Sequence, residues 1–196
     1  MSSIDALSPN INKEDSIVVQ SSTIKSLAHS MGFFACGIAK AAPVDKVVAQ
    51  KYRKWLENGE EASMTYMTNY LEKRLDPRLL VPGVRSIVSL ALNYSPAQQL
   101  PKGEYQIAAY ALGLDYHDLM KQKMRELAIK ITERWQLPKQ EKGEAPSVRC
   151  FCDTAPVLER YWAQKAGLGW VGRNHQLIIP HAGSMFFLGE IFLPFD

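Results

Sequence analysis

The residues best suited to chemistry lie at positions 149–174, in RCFCDTAPVLERYWAQKAGLGWVGRN. Asp153 stands between a short apolar run and an amphipathic stretch whose apolar side carries Val157, Leu158, Tyr161, Trp162 and Ala166. Two readings of Asp153 are open. As a helix N-cap, with Thr154 and Pro156 as helix-start residues, it would accept from free backbone N–H groups. As a general acid it would need a proton at neutral pH. A helix N-terminus favours the carboxylate, whereas a large apolar ligand packed over the group raises its pKa by desolvation. Acid chemistry at Asp153 therefore calls for a bulky cofactor beside it.

The stretch after Asp153 leaves Glu159 and Arg160 for solvent or for a site. Gly167, Gly169 and Gly172 follow, with Trp170 between them and Arg173 and Asn174 closing the turn. Backbone without side chains can approach a flat ligand closely. The likeness to G-x-G-x-x-G fails on context, because that fingerprint follows a strand and opens a helix. Residues 72–83, EKRLDPRLLVPG, read as a solvated turn around two prolines. In GLDYHDL (113–119), Asp115 reads as an N-cap and His117 as a structural first-turn residue. HAGS (181–184) is a turn. P-loop, G-x-S-x-G and H-E-x-x-H motifs are absent from the sequence.

Three cysteines, Cys36, Cys150 and Cys152, are too few and too scattered for a disulfide framework. Alternation puts Cys150 and Cys152 on one face of a strand, where they read as small apolar filler; two thiolates cannot complete a structural zinc site. With 46% hydrophobic and 22% charged residues the composition is that of one globular domain, or at most a domain with a small appendage. A net charge of +3 permits contact with a polyanion without arguing for it. The polar N-terminus lacks an apolar signal region, and no apolar run approaches the length of a membrane span. A cytoplasmic protein that does not engage membranes is expected.

The elements that must position these residues follow from periodicity. Residues 1–15 read as a disordered lead-in and 16–196 as the domain. Helices are expected over 17–31, 43–59, 63–75, 115–135 and 156–166. Strands are expected over 33–41, 85–94, 148–152, 177–180 and 186–193, with loops at 95–103 and 138–146. The run 85–94 is apolar throughout, as for a central strand covered on both faces. This order gives an α/β or α+β layered domain with a central mixed sheet flanked by helices. The abrupt end after FFLGEIFLPFD suggests a chain cut at a domain boundary.

In order along the chain, EKRLDPRLLVPGVRSIVSLALNY, YALGLDYHDLMKQKM, CDTAPVLERYWAQKAGLGWVGRN and AGSMFFLGEIFL resemble the N-terminal half of epoxyqueuosine reductases, over roughly residues 20–196. The resemblance implies a cobalamin-binding α/β core, related to reductive dehalogenases and more distantly to flavin nitroreductases. It implies reduction of epoxyqueuosine to queuosine in tRNA, with Asp153 as the proton donor. It also implies cofactor contacts from Arg74, Ala108, Tyr110, His117, Asp153 and Arg160. Further contacts fall on Trp170, Val171, Gly172, Arg173 and Asn174, and on Gly183 and Ser184. Ala109 stands where many members carry Arg. The family's two [4Fe–4S] clusters need C-x2-C-x2-C-x3-C-P runs that these 196 residues do not contain, nor do they contain its helical-repeat segment that helps grip tRNA. A monomer that binds cobalamin but turns over weakly without that module and its electron donor is expected. A non-catalytic cobalamin-binding or cobalamin-handling domain and an FMN-dependent nitroreductase-like enzyme are the alternatives.

Overall fold

The computed structural model describes residues 13–98, 100–101, 103–137 and 148–196, with side chains of the N-terminal segment described from residue 17. The expected loop at 138–146 and the lead-in at 1–12 lie outside the described residues. Residues 13–15 of that lead-in instead open the first helix, α1 (Lys13–Ser30).

Four strands form the central sheet: β1 (Ala35–Lys40), β2 (Ser86–Asn93), β3 (Arg149–Phe151) and β6 (Phe186–Leu193). Their order is β1-β2-β6-β3. The layered α+β class stands. Every pairing among the described residues is antiparallel, where a mixed sheet was expected. The rule that ligands sit beyond the carboxyl ends of parallel strands therefore has no purchase here. β2 is buried from Ser86 to Ala91, as its unbroken apolar run requires.

Alternation along the strands builds two cores. On one face Val88, Leu90, Ile191 and Leu193 meet α1 and the long helix α5 (Tyr116–Arg134), through Ile24, Ala28, Met120, Met124, Leu127 and Ile131. On the other face Ile87, Phe151 and Phe192 meet Trp162 of α6 (Glu159–Lys165) and a corner built from α3 (Leu71–Leu75) and α4 (Pro77–Leu80). Gly37 lets β1 run beneath the end of α6, because a Cβ there would lie 2.2 Å from the Ala166 carbonyl oxygen.

Two helices differ from expectation. The stretch 63–75 is broken: a 3-10 turn, Thr65–Met67, is followed by Tyr70 at φ +57°, and only then does α3 begin. Pro43 stands ahead of the second helix, α2 (Lys46–Glu57), which starts after Asp45. Among the described residues no helix is long and apolar enough to cross a membrane.

Candidate active site

Asp153 is not a helix cap. The helix expected from 156 begins at Glu159, its N-cap position is Leu158, and no side chain caps it. Pro156 disfavours helical backbone at Ala155, so residues 153–158 form turns, with Thr154 N–H bonded to the Cys152 carbonyl at 2.6 Å and Val157 N–H to the Ala155 carbonyl at 2.8 Å. Asp153 itself sits at φ +54°, in the left-handed region that asparagine and aspartate tolerate better than most residues.

Both ends of this aspartate are held. Its N–H donates to Glu159 Oε1 at 2.8 Å, and its carboxyl oxygen Oδ2 accepts a short hydrogen bond from the Tyr116 hydroxyl. His117 Nε2 lies 3.7 Å from the same oxygen. Tyr116 and His117 open α5, whose N-cap is Asp115, as expected; the Asp115 carboxylate accepts from His117 N–H at 2.9 Å and contacts His117 Nδ1 at 2.8 Å. Those contacts with His117 lower the Asp115 pKa. Tyr116 stacks on His117 and lies parallel to Phe187 of β6 at 4.1 Å, and Tyr94 continues the stack on Phe187. Burial, then the hydrogen bond to Asp153, push the Tyr116 phenol up, so it stays a donor at neutral pH.

Behind Asp153 lie two further carboxyl groups. Glu159 is half-buried, and burial followed by the Asp153 charge raises its pKa to about 7. Glu190, in the middle of β6, is fully buried with neither carboxyl oxygen hydrogen-bonded. Burial first, then the Glu159 and Asp153 charges, raise it well above the usual carboxyl range. Its neighbour across the sheet, Ser89, also has a buried hydroxyl without a partner. Cys36, Cys150 and Cys152 are raised to about 12 by burial, which leaves them neutral thiols packed in the α5 core. This agrees with their reading as filler, and no cluster among the described residues could hold a metal ion.

The remaining sequence-predicted residues fall into two groups. Arg160, exposed on α6, donates to the His175 carbonyl, and Gln164 Oε1 accepts from Val171 N–H at 3.2 Å. These bonds tie α6 to a hairpin of β4 (Trp170–Val171) and β5 (Leu177–Ile178), whose turn carries Gly172, Arg173 and Asn174. An Ile179–Gly183 bridge brings Gly183 and Ser184 to the same hairpin. Local packing accounts for two of its glycines: a Cβ on Gly169 would meet the Ile178 carbonyl oxygen at 2.0 Å, and one on Gly172 the Ile178 side chain at 2.4 Å. Arg74, by contrast, is buried at the end of α3 with Nε unpartnered, lining a crevice with Pro156, Val157, Trp162 and Phe192. It meets the segment after Asp153 and not the aspartate itself. Ala108 and Tyr110 are exposed at a 3-10 turn, Ala109–Ala111. Ala109 lines an open concavity of about 510 Å³ with Ser95, Ile107, Leu112 and Met185. Around it Tyr105, Ile107, Tyr110, Leu114 and Met185 are exposed apolar side chains, as are Trp170 and Val171 of the hairpin.

Sequence reading missed Tyr116 and Glu190 and left Glu159 undecided. Glu190 did carry a signal, a lone carboxylate inside an otherwise apolar strand, which is costly unless it is neutral or paired.

A family model described as Epoxyqueuosine reductase QueG, DUF1730, matches residues 74–154, a span that begins at Arg74 and includes Asp153. The epoxyqueuosine reductase of Cellulophaga algicola is 43% identical over 176 residues, 90% of this chain and 55% of that protein. That of Leadbetterella byssophila is 44% identical over 173 residues, 88% and 54%. By sequence this chain is similar to epoxyqueuosine reductases over 88–90% of its length. It spans about half the length of these curated relatives. The epoxyqueuosine reductase of Streptococcus thermophilus has the same fold, with a TM-score of 0.72 at 26% identity, covering 87% of this chain and 44% of that one. An epoxyqueuosine reductase solved with an epoxyqueuosine-modified tRNA stem loop superposes with a TM-score of 0.76 at 22% identity, covering 92% and 47%.

Proposed function

We propose that this chain is the reductase portion of an epoxyqueuosine reductase, converting epoxyqueuosine in tRNA to queuosine, with Asp153 as proton donor. One observation carries the reading. In a chain 43–44% identical to epoxyqueuosine reductases, an exposed carboxyl is fixed from both ends, by the Tyr116 hydroxyl and by Glu159.

Reducing an epoxide to an alkene takes two electrons and two protons and releases the oxygen as water. The residues present fit a broad, largely apolar cofactor. Trp170, Val171, Tyr110 and Met185 offer exposed apolar surface, and Arg160 and Arg173 add charge at the hairpin. Cobalamin, held by these residues, would supply low-valent cobalt chemistry for the electrons. The chain's own groups handle the protons. Asp153 gives one to the epoxide oxygen as the first C–O bond breaks, which leaves a hydroxyl in place of an alkoxide, and, reprotonated from solvent, gives the second as that hydroxyl departs as water. Tyr116 orients the carboxyl through its hydrogen bond, and the stack of Tyr94, Phe187 and Tyr116 fixes that phenol. His117, itself oriented by Asp115, sets the other side of Asp153 Oδ2.

Incubation with hydroxocobalamin or FMN, followed by an absorbance spectrum of the desalted protein, tests the cofactor; retained FMN in place of cobalamin would overturn it. Asp153→Asn in the complete protein should keep the cobalamin spectrum and lose epoxide reduction by about 10²–10⁴-fold, the usual worth of a general acid. Undiminished reduction in that variant would remove Asp153 from the mechanism.

A further inference from the structure

We propose that Glu159 is the positioning residue for Asp153, a latch whose carboxyl accepts the Asp153 N–H and so holds the aspartate in its left-handed turn with its carboxyl against the Tyr116 hydroxyl. The inference rests on the proton-donor reading of Asp153 and adds to it the group that sets the donor's geometry.

Three observations carry it. Backbone pairing between β3 and β6 ends at Phe151 and Glu190, so Asp153 lies beyond the ladder and the bond it donates goes to a side chain, Glu159 Oε1 at 2.8 Å. Asp153 sits at φ +54°, a conformation that aspartate tolerates but does not prefer, so a bond at its N–H helps to keep it there. Glu159 is itself immobilised: Trp162 and Ala163, three and four residues on and therefore on the same helix face, are buried against the sheet. A charge-assisted bond from a rigid helix to a strained turn is strong enough to maintain it. The other end of the residue is fixed by Tyr116, so release of the latch frees the backbone while the phenol alone retains the carboxyl.

Glu159 also reports on itself. The groups facing it are Cys152 and Asp153 at and after the end of β3, Glu190 from β6, and Arg160 beside it on α6. Burial and the Asp153 charge place its titration at about 7, with Arg160 opposing. An amide proton donating to a carboxyl that titrates shifts with it.

The test is the NMR chemical shift of the residue-153 amide proton against pH in the full chain. With Glu159 as the latch, that amide is hydrogen-bonded and its shift moves with a midpoint near 7. Glu159→Gln keeps an acceptor oxygen, so the amide stays hydrogen-bonded, the transition near 7 disappears, and epoxide reduction in the complete protein stays close to the parent. Glu159→Leu removes the acceptor, moves the amide to a free position and lowers reduction about a hundredfold, as expected for a misplaced catalytic group. A transition near 7 that survives Glu159→Gln overturns the latch, as does a residue-153 amide unmoved by Glu159→Leu. Should Glu159→Leu fail to fold, the Gln titration decides alone. Asp153→Asn separates the two readings: if it leaves reduction intact the proton donor is wrong, while the residue-153 amide titration in that variant still judges the latch.

Discussion

The two faces of the central sheet are built to different rules. Beneath α1 and α5 the buried side chains are aliphatic, aromatic or thiol, and Gly189 is open enough for Met120 and Met124 to settle directly on the strand. Beneath α6 the same two central strands turn inward Ser89 and Glu190, both without hydrogen bonds, and Glu159 stands at the helix's first turn. A sheet needs only one well-packed face to pin its register. The difference teaches that, among the described residues, the α5 face is packed without unsatisfied polar groups, while the α6 face retains unfavourable polar burial near Asp153.

Three perturbations break or sharpen that contrast. The largest is Leu127→Ala on the α5 face. It removes a fully buried side chain and should cost about 2–5 kcal/mol in denaturant unfolding. A cost near zero would mean that the α5 face does not hold the stability.

Next is Glu190→Gln on the α6 face. In the folded chain Glu190 holds its proton well above the 4.5 of an ordinary glutamate, so between those values the native state binds a proton that the unfolded chain has lost. Wild-type stability therefore falls as pH rises from about 4.5 through the folded-state pKa. Gln does not titrate, so the variant should melt higher than wild type at pH 8, with a gap that narrows toward pH 5. Thermal melts at the two pH values check this, and a gap independent of pH would remove the ionisation argument.

The smallest is Asp115→Ala, which deletes the N-cap of α5 and should lower global stability only slightly. It also frees the His117 ring, so hydrogen-exchange protection should fall at the first turn of α5 while Leu127 and Ile131 amides keep theirs. Loss spread evenly along α5 would show that the cap supports the whole helix.

Much of this fold was legible because periodicity is local. Residues 85–94 read as a doubly covered strand and became β2; Asp115 read as a cap and is one; Cys150 and Cys152 read as filler and lie in the α5 core. The misreadings share a cause. Tyr70, exposed and at positive φ, breaks a helix-like pattern that periodicity alone continues, and β4 is two residues long, too short for alternation to show. Asp153-Thr154-Ala155-Pro156 has the composition of a helix start, yet the helix begins six residues after Asp153. The site was half legible. Asp153 stood out along the chain, while His117 read as structural and entered as a candidate only through the resemblance; Tyr116 lies 37 positions from Asp153 and nothing in residue spacing announces their bond.

By itself the sequence determined the class of the long elements, the identity of the acid candidate and the family resemblance, because propensity, patterning and motif order are properties of contiguous residues. Tertiary structure alone decided that the sheet is antiparallel, that Glu190 is sealed under α6, and that Asp153 is gripped by Glu159 and Tyr116. Those facts depend on which surfaces exclude water together, and a carboxyl's protonation, partner and orientation are fixed only once that exclusion is complete.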